Sequence, residues 1–302
     1  MSKDRLSYYG RPIIKEPVWK PEIPLYFFAG GLAGASATLS LGARMTRNEP
    51  LARASLFAAA AAVSVSPPLL IKDLGRPARF YNMLRVFKVT SPMSVGTWIV
   101  SAEGTATGFA AACELFGVMP RLKLAAQAVA GLLGPAMATY TGALVAQSVV
   151  PVWHEARREL PLTFAAGSAA SAGGAAAIFT PVPFAGPARR LAILGGLTEL
   201  VSVEVMKRRL GKFVAEPYEQ GQGKKYARLS TAATLAGTTL MARAGRRRAG
   251  AVAAGSLLLA GALCERFAVY HAGKQSAADP HYTSVPQRER AGKAASPDDS
   301  NR

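Results

Sequence analysis

The sequence falls into apolar runs of about bilayer length separated by short charged segments, and nothing else in it restricts the fold as much. A helix needs about 20 apolar residues to cross the hydrocarbon core of a membrane, and its backbone groups must be satisfied within the segment. Residues 24–43, 51–71, 94–117 and 124–150 form the first four runs. Residues 162–180 and 188–206 are rich in Gly and Ala, 227–242 is short, and 249–270 is again plainly apolar. The pattern predicts an all-α integral membrane protein with about eight transmembrane helices across residues 24–271. Residues 1–23 form a basic N-terminal segment with Lys3, Arg5, Arg11, Lys15 and Lys20. The apolar run behind it is too long for a signal-peptide core, so it reads as an uncleaved first helix. Residues 272–302 turn polar and carry Pro280 and Pro286, which predicts an extended C-terminal tail.

Composition narrows the function. Half of the residues are hydrophobic but only 8% are aromatic, because the apolar content is mostly Ala, Gly, Leu and Val. Small residues of this kind let helices in a membrane approach closely. A net charge of +18 raises the question of nucleic acid, but the basic residues lie between the apolar runs rather than on one folded face, so no nucleic acid is expected. With eight helices, 25 of the 36 Lys and Arg fall with the two termini and the even-numbered loops. The positive-inside rule then puts both termini in the cytoplasm of a cell that carries the protein in its plasma membrane.

The two cysteines, Cys113 and Cys264, both lie inside apolar runs, which excludes a cysteine-ligated iron-sulfur cluster and a disulfide framework. A haem within the bilayer needs histidines on membrane helices. His154 lies in a loop, His271 at the end of the last run and His281 in the tail, so no pair can sandwich one. The chain is expected to carry no metal, haem or cluster of its own.

The connector from Asp73 to Trp98, DLGRPARFYNMLRVFKVTSPMSVGTW, is charged and aromatic-rich and joins two apolar runs. With EIPLYFFAGGLAGASA in the first run, GPAMATYTGALVAQS in the fourth and ERFAVYHAGKQSAADPHYTSVPQRER after the last, it resembles the NrfD family of polysulfide-reductase-like membrane subunits. The resemblance implies a pair of four-helix bundles. It also implies exchange of electrons between a membrane quinone, menaquinone or ubiquinone, and a ferredoxin-like iron-sulfur subunit, with a molybdenum or tungsten catalytic subunit behind it. In resembling proteins the quinone head group is held early in the first helix, at the end of the second and in the fourth. Carried over, these positions are Tyr26, Asp73 and Tyr140. Some relatives have histidine at the first position; Tyr26 cannot take a proton near neutral pH, so the acceptor role falls to Asp73.

Helix alternation checks this assignment independently. Tyr26 at the start of the first helix, Asp73 at the end of the second and Tyr140 in the last part of the fourth all belong to one half of the bilayer. On the same side, Phe80, Leu84 and Phe87 fall at i, i+4 and i+7, the spacing of a short interfacial helix. It would present Arg79, Arg85 and Lys88, together with Arg76, to an acidic partner or to lipid phosphates. Glu103 and Glu199 lie mid-run, where ionisable groups are costly, and are candidates for a proton relay or for a structural hydrogen bond. Glu265 beside Arg266 reads as a boundary ion pair. Pro67, Pro68 and Pro135 are expected to kink their helices. A proton- or cation-coupled transporter is the alternative function, with Glu103 and Glu199 as ion ligands, although no inverted repeat is visible.

Overall fold

The computed structural model describes residues 13–76 and 78–285, and the regular elements within them are helices. In chain order these are α1 (Glu22–Met45), α2 (Glu49–Asp73), α3 (Arg79–Arg85), α4 (Pro92–Phe116), α5 (Pro120–Ala146), α6 (Pro151–Glu155), α7 (Leu160–Phe179), α8 (Gly186–Ala215), α9 (Gly221–Ala244) and α10 (Arg248–Ala278). Local chemistry sets the boundaries. Asn48 and Ser91 cap α2 and α4 by accepting the backbone N–H of Leu51 and Ser94, each with a proline in the first turn behind it. Gly117 closes α4 in the left-handed region at φ 66°, which a side chain would disfavour.

Eight of these helices, 20 to 31 residues long, lie over the eight apolar runs. Five of them, α1, α2, α5, α7 and α10, are both long and apolar enough to cross a membrane. Two expectations change. The short seventh run belongs to a 24-residue α9, because the polar GQGKK ahead of it is also helical. The last helix runs on to Ala278, seven residues past the expected end of the membrane domain at 271, and residues 281–285 add a further helical turn, so this part of the tail is not extended. The tail from 286 and the basic residues Lys3, Arg5 and Arg11 lie outside the described residues.

The long helices form two bundles of four. In the first, α1, α2, α4 and α5 each pack on their chain neighbour and α5 returns to α1; α7, α8, α9 and α10 close a second ring in the same way. The seam between the rings is made mainly by α1, α5, α7 and α10. Small residues let these backbones touch: a Cβ on Gly34 of α1 would stand 2.5 Å from the Gly134 carbonyl of α5. The same holds inside the second ring, where a Cβ on Gly255 of α10 would meet the Gly174 carbonyl of α7 at 2.6 Å. Outward, Leu132, Leu194 and Val201 are more than 60% exposed, an arrangement that suits lipid and not water.

The helices continue through Pro67, Pro68 and Pro135. A backbone break falls at Gly211 in α8, with φ 70° and ψ 169°. One end of the molecule, here the near face, carries the start of α1, the end of α2, α3, α6 and residues 13–21, which lie across the bundle ends. Glu16 pairs with Lys274 at 3.0 Å and the Tyr270 hydroxyl donates to the Trp19 carbonyl at 2.7 Å, fixing this segment in place. The α1–α2, α4–α5, α7–α8 and α9–α10 turns form the far face.

Candidate functional site

A cavity of about 60 Å³ opens at the near face of the first bundle, and Tyr26, Asp73 and Tyr140 all line it. α1 brings Tyr26 one turn after its start, the C-terminus of α2 delivers Asp73, and α5 places Tyr140 on the opposite wall. Apart from Thr97 the rest of the lining is apolar or aromatic, including Trp19, Ile23, Phe27, Leu70, Met83 and Leu144. Tyr140 fits because α4 has Gly96 facing its ring: a Cβ there would stand 2.2 Å from the ring edge. The backbone N–H of Lys20 donates to Asp73 Oδ1 at 3.0 Å, and Lys72 next to it pairs with Glu22 at 2.7 Å. Neither Arg76 nor Arg79 pairs with Asp73. The hydroxyls of Tyr26 and Tyr140 make no hydrogen bond with any described residue, although Tyr26 is only 2% exposed. Two uncommitted phenol donors and one carboxylate at a largely apolar crevice are groups that can hydrogen-bond the oxygens of a flat, two-carbonyl ring and exchange protons with it.

The lid is α3. None of its residues is buried, its half-buried face is Phe80, Met83 and Leu84, and Met83 closes the cavity together with Met93. The expected third member, Phe87, is not on this helix. The chain becomes extended at Val86, and Phe87 turns edge-on to Trp98 at 6.2 Å. Ser94 Oγ and Trp98 Nε1 both donate to the Val86 carbonyl, at 2.9 and 3.4 Å, and pin the lid's trailing end to α4. Arg76, Arg79, Arg85 and Lys88 are all exposed on this connector and none forms an ion pair among the described residues.

The two mid-helix acids are not brought together. Glu103, fully buried in α4, accepts from Thr107 at 2.8 Å and leaves Oε2 without a hydrogen bond. Glu199 is buried in α8 of the other bundle, with Thr234 of α9 donating at 3.4 Å. Its neighbours are Glu265 and Arg266, and both are buried, not at a boundary: α10 runs well past them and turns them into the second bundle and its seam. Arg266 pairs with Glu265, donates to the Phe164 carbonyl at 2.7 Å and lies 3.8 Å above the Phe164 ring. A polar cavity of about 110 Å³ lined by Glu199, Tyr218, Thr234 and Glu265 adjoins this cluster. Sequence reasoning missed the cluster because Glu-Arg neighbours close to the end of an apolar run look like an interfacial pair. It also missed Trp19 and Gly96; a tryptophan just ahead of the first helix was the available signal for the former, and there was none for the latter.

Sequence comparison gives one family. The profile described as polysulphide reductase, NrfD, matches residues 14–215, about two thirds of the chain, which includes all of the first bundle and Tyr26, Asp73 and Tyr140. A search of curated proteins returned no match.

Proposed function

The chain belongs to the NrfD family, the membrane subunits of polysulfide-reductase-like oxidoreductases, and on that premise we propose that it exchanges electrons between a membrane quinone and an iron-sulfur subunit docked on the near face. The observation that carries this reading is the shared cavity of Tyr26, Asp73 and Tyr140. Its donors fit a quinone head group: two free phenol hydroxyls suit ring oxygens, and the apolar lining suits the ring faces. Menaquinone and ubiquinone share this chemistry, which supplies or consumes two electrons and two protons per molecule.

Tyr26 and Tyr140 donate hydrogen bonds to the ring oxygens, and Asp73 receives the two protons of oxidation one after the other, passing each to water at the near face, and delivers two in the reverse order on reduction. The Lys20 N–H holds one oxygen of Asp73, so the other stays available for that transfer. Trp19, Phe27 and Leu70 keep bulk water out of the crevice. A cavity of about 60 Å³ is smaller than the roughly 150 Å³ that accommodates benzene. Entry therefore displaces a wall, and α3, with no buried residue, is the wall held least firmly.

Electrons reach a ferredoxin-like partner, drawn by Arg76, Arg79, Arg85 and Lys88, and pass on to a molybdenum or tungsten catalytic subunit. All eight long helices span the plasma membrane, and the near face and both termini are cytoplasmic. Glu103 and Glu199 occupy different bundles, so a proton relay uses them as separate stations. The deciding experiment is quinone turnover by the intact complex carrying Asp73→Asn. Assembly with loss of turnover supports the assignment, and unchanged turnover rejects it.

A further inference from the structure

On the far face, opposite the quinone cavity, a groove of about 710 Å³ runs down the outside of α2. Its floor is a single face of that helix: Glu49, Arg53, Phe57 and Ala61 follow at i, i+4, i+8 and i+12, with Pro50, Ala54 and Ala58 beside them. From Glu49 to Ala61 the groove is about 18 Å long at about 1.5 Å per residue, close to the roughly 15 Å depth of one leaflet. Phe179 and Pro181 at the end of α7 form one bank, and Glu114 of α4 marks the other at the polar end. Asn48 donates to the Phe184 carbonyl at 2.9 Å and keeps the α7–α8 turn against the groove mouth.

The charges at that mouth do not balance. Glu114 is contacted by Lys123 at 2.8 Å, Arg44 at 3.4 Å and Arg53 at 3.7 Å, and Arg44 also holds Glu49. Three cations thus share two carboxylates, and Arg47 in the adjoining turn is exposed with no ion pair among the described residues. Arg53 is the least committed of the three. Its side chain is 59% exposed, its ion pair is the longest, and its guanidinium lies 5.8 Å from the Phe57 ring at the top of the apolar floor.

We propose that this groove is a binding site for an anionic phospholipid, with an acyl chain along α2 and the phosphate on Arg53. A phosphate supplies the missing negative charge at the level of the bilayer interface, and a guanidinium can grip it with two parallel hydrogen bonds. The apolar floor below has the length and the chemistry of a lipid tail. The site is distinct from the quinone cavity: it lies on the other face and shares no residue with it.

The test is native mass spectrometry of the intact protein taken from nanodiscs containing equal amounts of phosphatidylglycerol and phosphatidylcholine. The wild-type protein retains phosphatidylglycerol in preference to phosphatidylcholine. Arg53→Gln, which keeps the groove, reduces that retention by about tenfold, the effect of losing one charge-assisted contact, and Ala58→Phe, which keeps every charge, reduces it at least as much by filling the floor where the acyl chain lies. Since the two variants alter different parts of the site, failure of one to fold leaves the other as the test. Equal retention of the two lipids, or unchanged retention in a folded variant, overturns the proposal. So does displacement of phosphatidylglycerol by millimolar inorganic phosphate, which would mark a site for a free anion.

Discussion

The backbone N–H of Lys20 donates a 3.0 Å hydrogen bond to the carboxylate of Asp73, joining the segment ahead of α1 to the last residue of α2. Residues 53 positions apart thus fix one wall of the proposed quinone cavity, and the acid needs no arginine partner to hold its place. Asp73→Asn retains an oxygen that can accept this hydrogen bond and loses the ability to take a proton. Quinone turnover should fall by about 10² or more, the usual worth of a positioned general base. The melting temperature and the subunit composition should not change. Steady-state quinol oxidation by the purified complex measures the first and calorimetry the second; a variant that still turns over at the wild-type rate removes Asp73 from the chemistry.

Gly96→Ala tests the position of Tyr140 without touching its hydroxyl. The added methyl would stand 2.2 Å from the ring edge, so the ring must move out of the cavity wall. The KM for quinone should rise about tenfold, the worth of one hydrogen bond to the ligand, and Tyr140→Phe should give a rise of similar size. A KM that responds to neither substitution would mean that the ring and the hydroxyl do not touch the head group.

Removing Arg266 should be costly. It is 1% exposed, and Glu265 and Glu199 lie beside it, so Arg266→Met leaves buried carboxylates with no cation. Breaking such a pair costs about 3–5 kcal/mol. Replacing the pair together, Glu265→Gln with Arg266→Met, should recover part of that. Denaturation in detergent reads both, and a single variant as stable as the wild type would show that the cluster is solvated.

Charge reversal on the connector bears on docking. Arg79→Glu with Arg85→Glu should release the iron-sulfur subunit at a lower salt concentration than wild type, because exposed charges act through a field that salt screens. Co-purification across a salt series gives the answer. Identical release profiles would assign these exposed side chains to lipid headgroups instead.

Much of the fold was legible because a long apolar run is itself a helix signal, as the match between the apolar runs and the eight long helices illustrates, five of which are long and apolar enough to cross a membrane. Alternation of helix direction was enough to bring Tyr26, Asp73 and Tyr140 to one side, and the structure adds that they share a cavity. What could not be read depends on contacts between helices far apart in sequence. Glu265 and Arg266 looked interfacial because nothing local reveals that Phe164, 102 residues away, offers Arg266 a carbonyl and a ring face. Phe87 looked helical because its spacing fits, but the hydrogen bonds of Ser94 and Trp98 to Val86 hold the chain extended there. The break at Gly211 also had no local signal beyond the glycine itself, whose backbone adopts a conformation that side chains disfavour.

Phe164 has a second neighbour. Its ring centre lies 5.9 Å from that of Phe27, which lines the proposed quinone cavity, and Arg266 lies over it at 3.8 Å. The proposed quinone pocket and the charge cluster of the opposite bundle therefore share a party wall two phenyl rings thick, Phe27 and Phe164. Resizing the Phe164 side chain therefore disturbs both rooms at once.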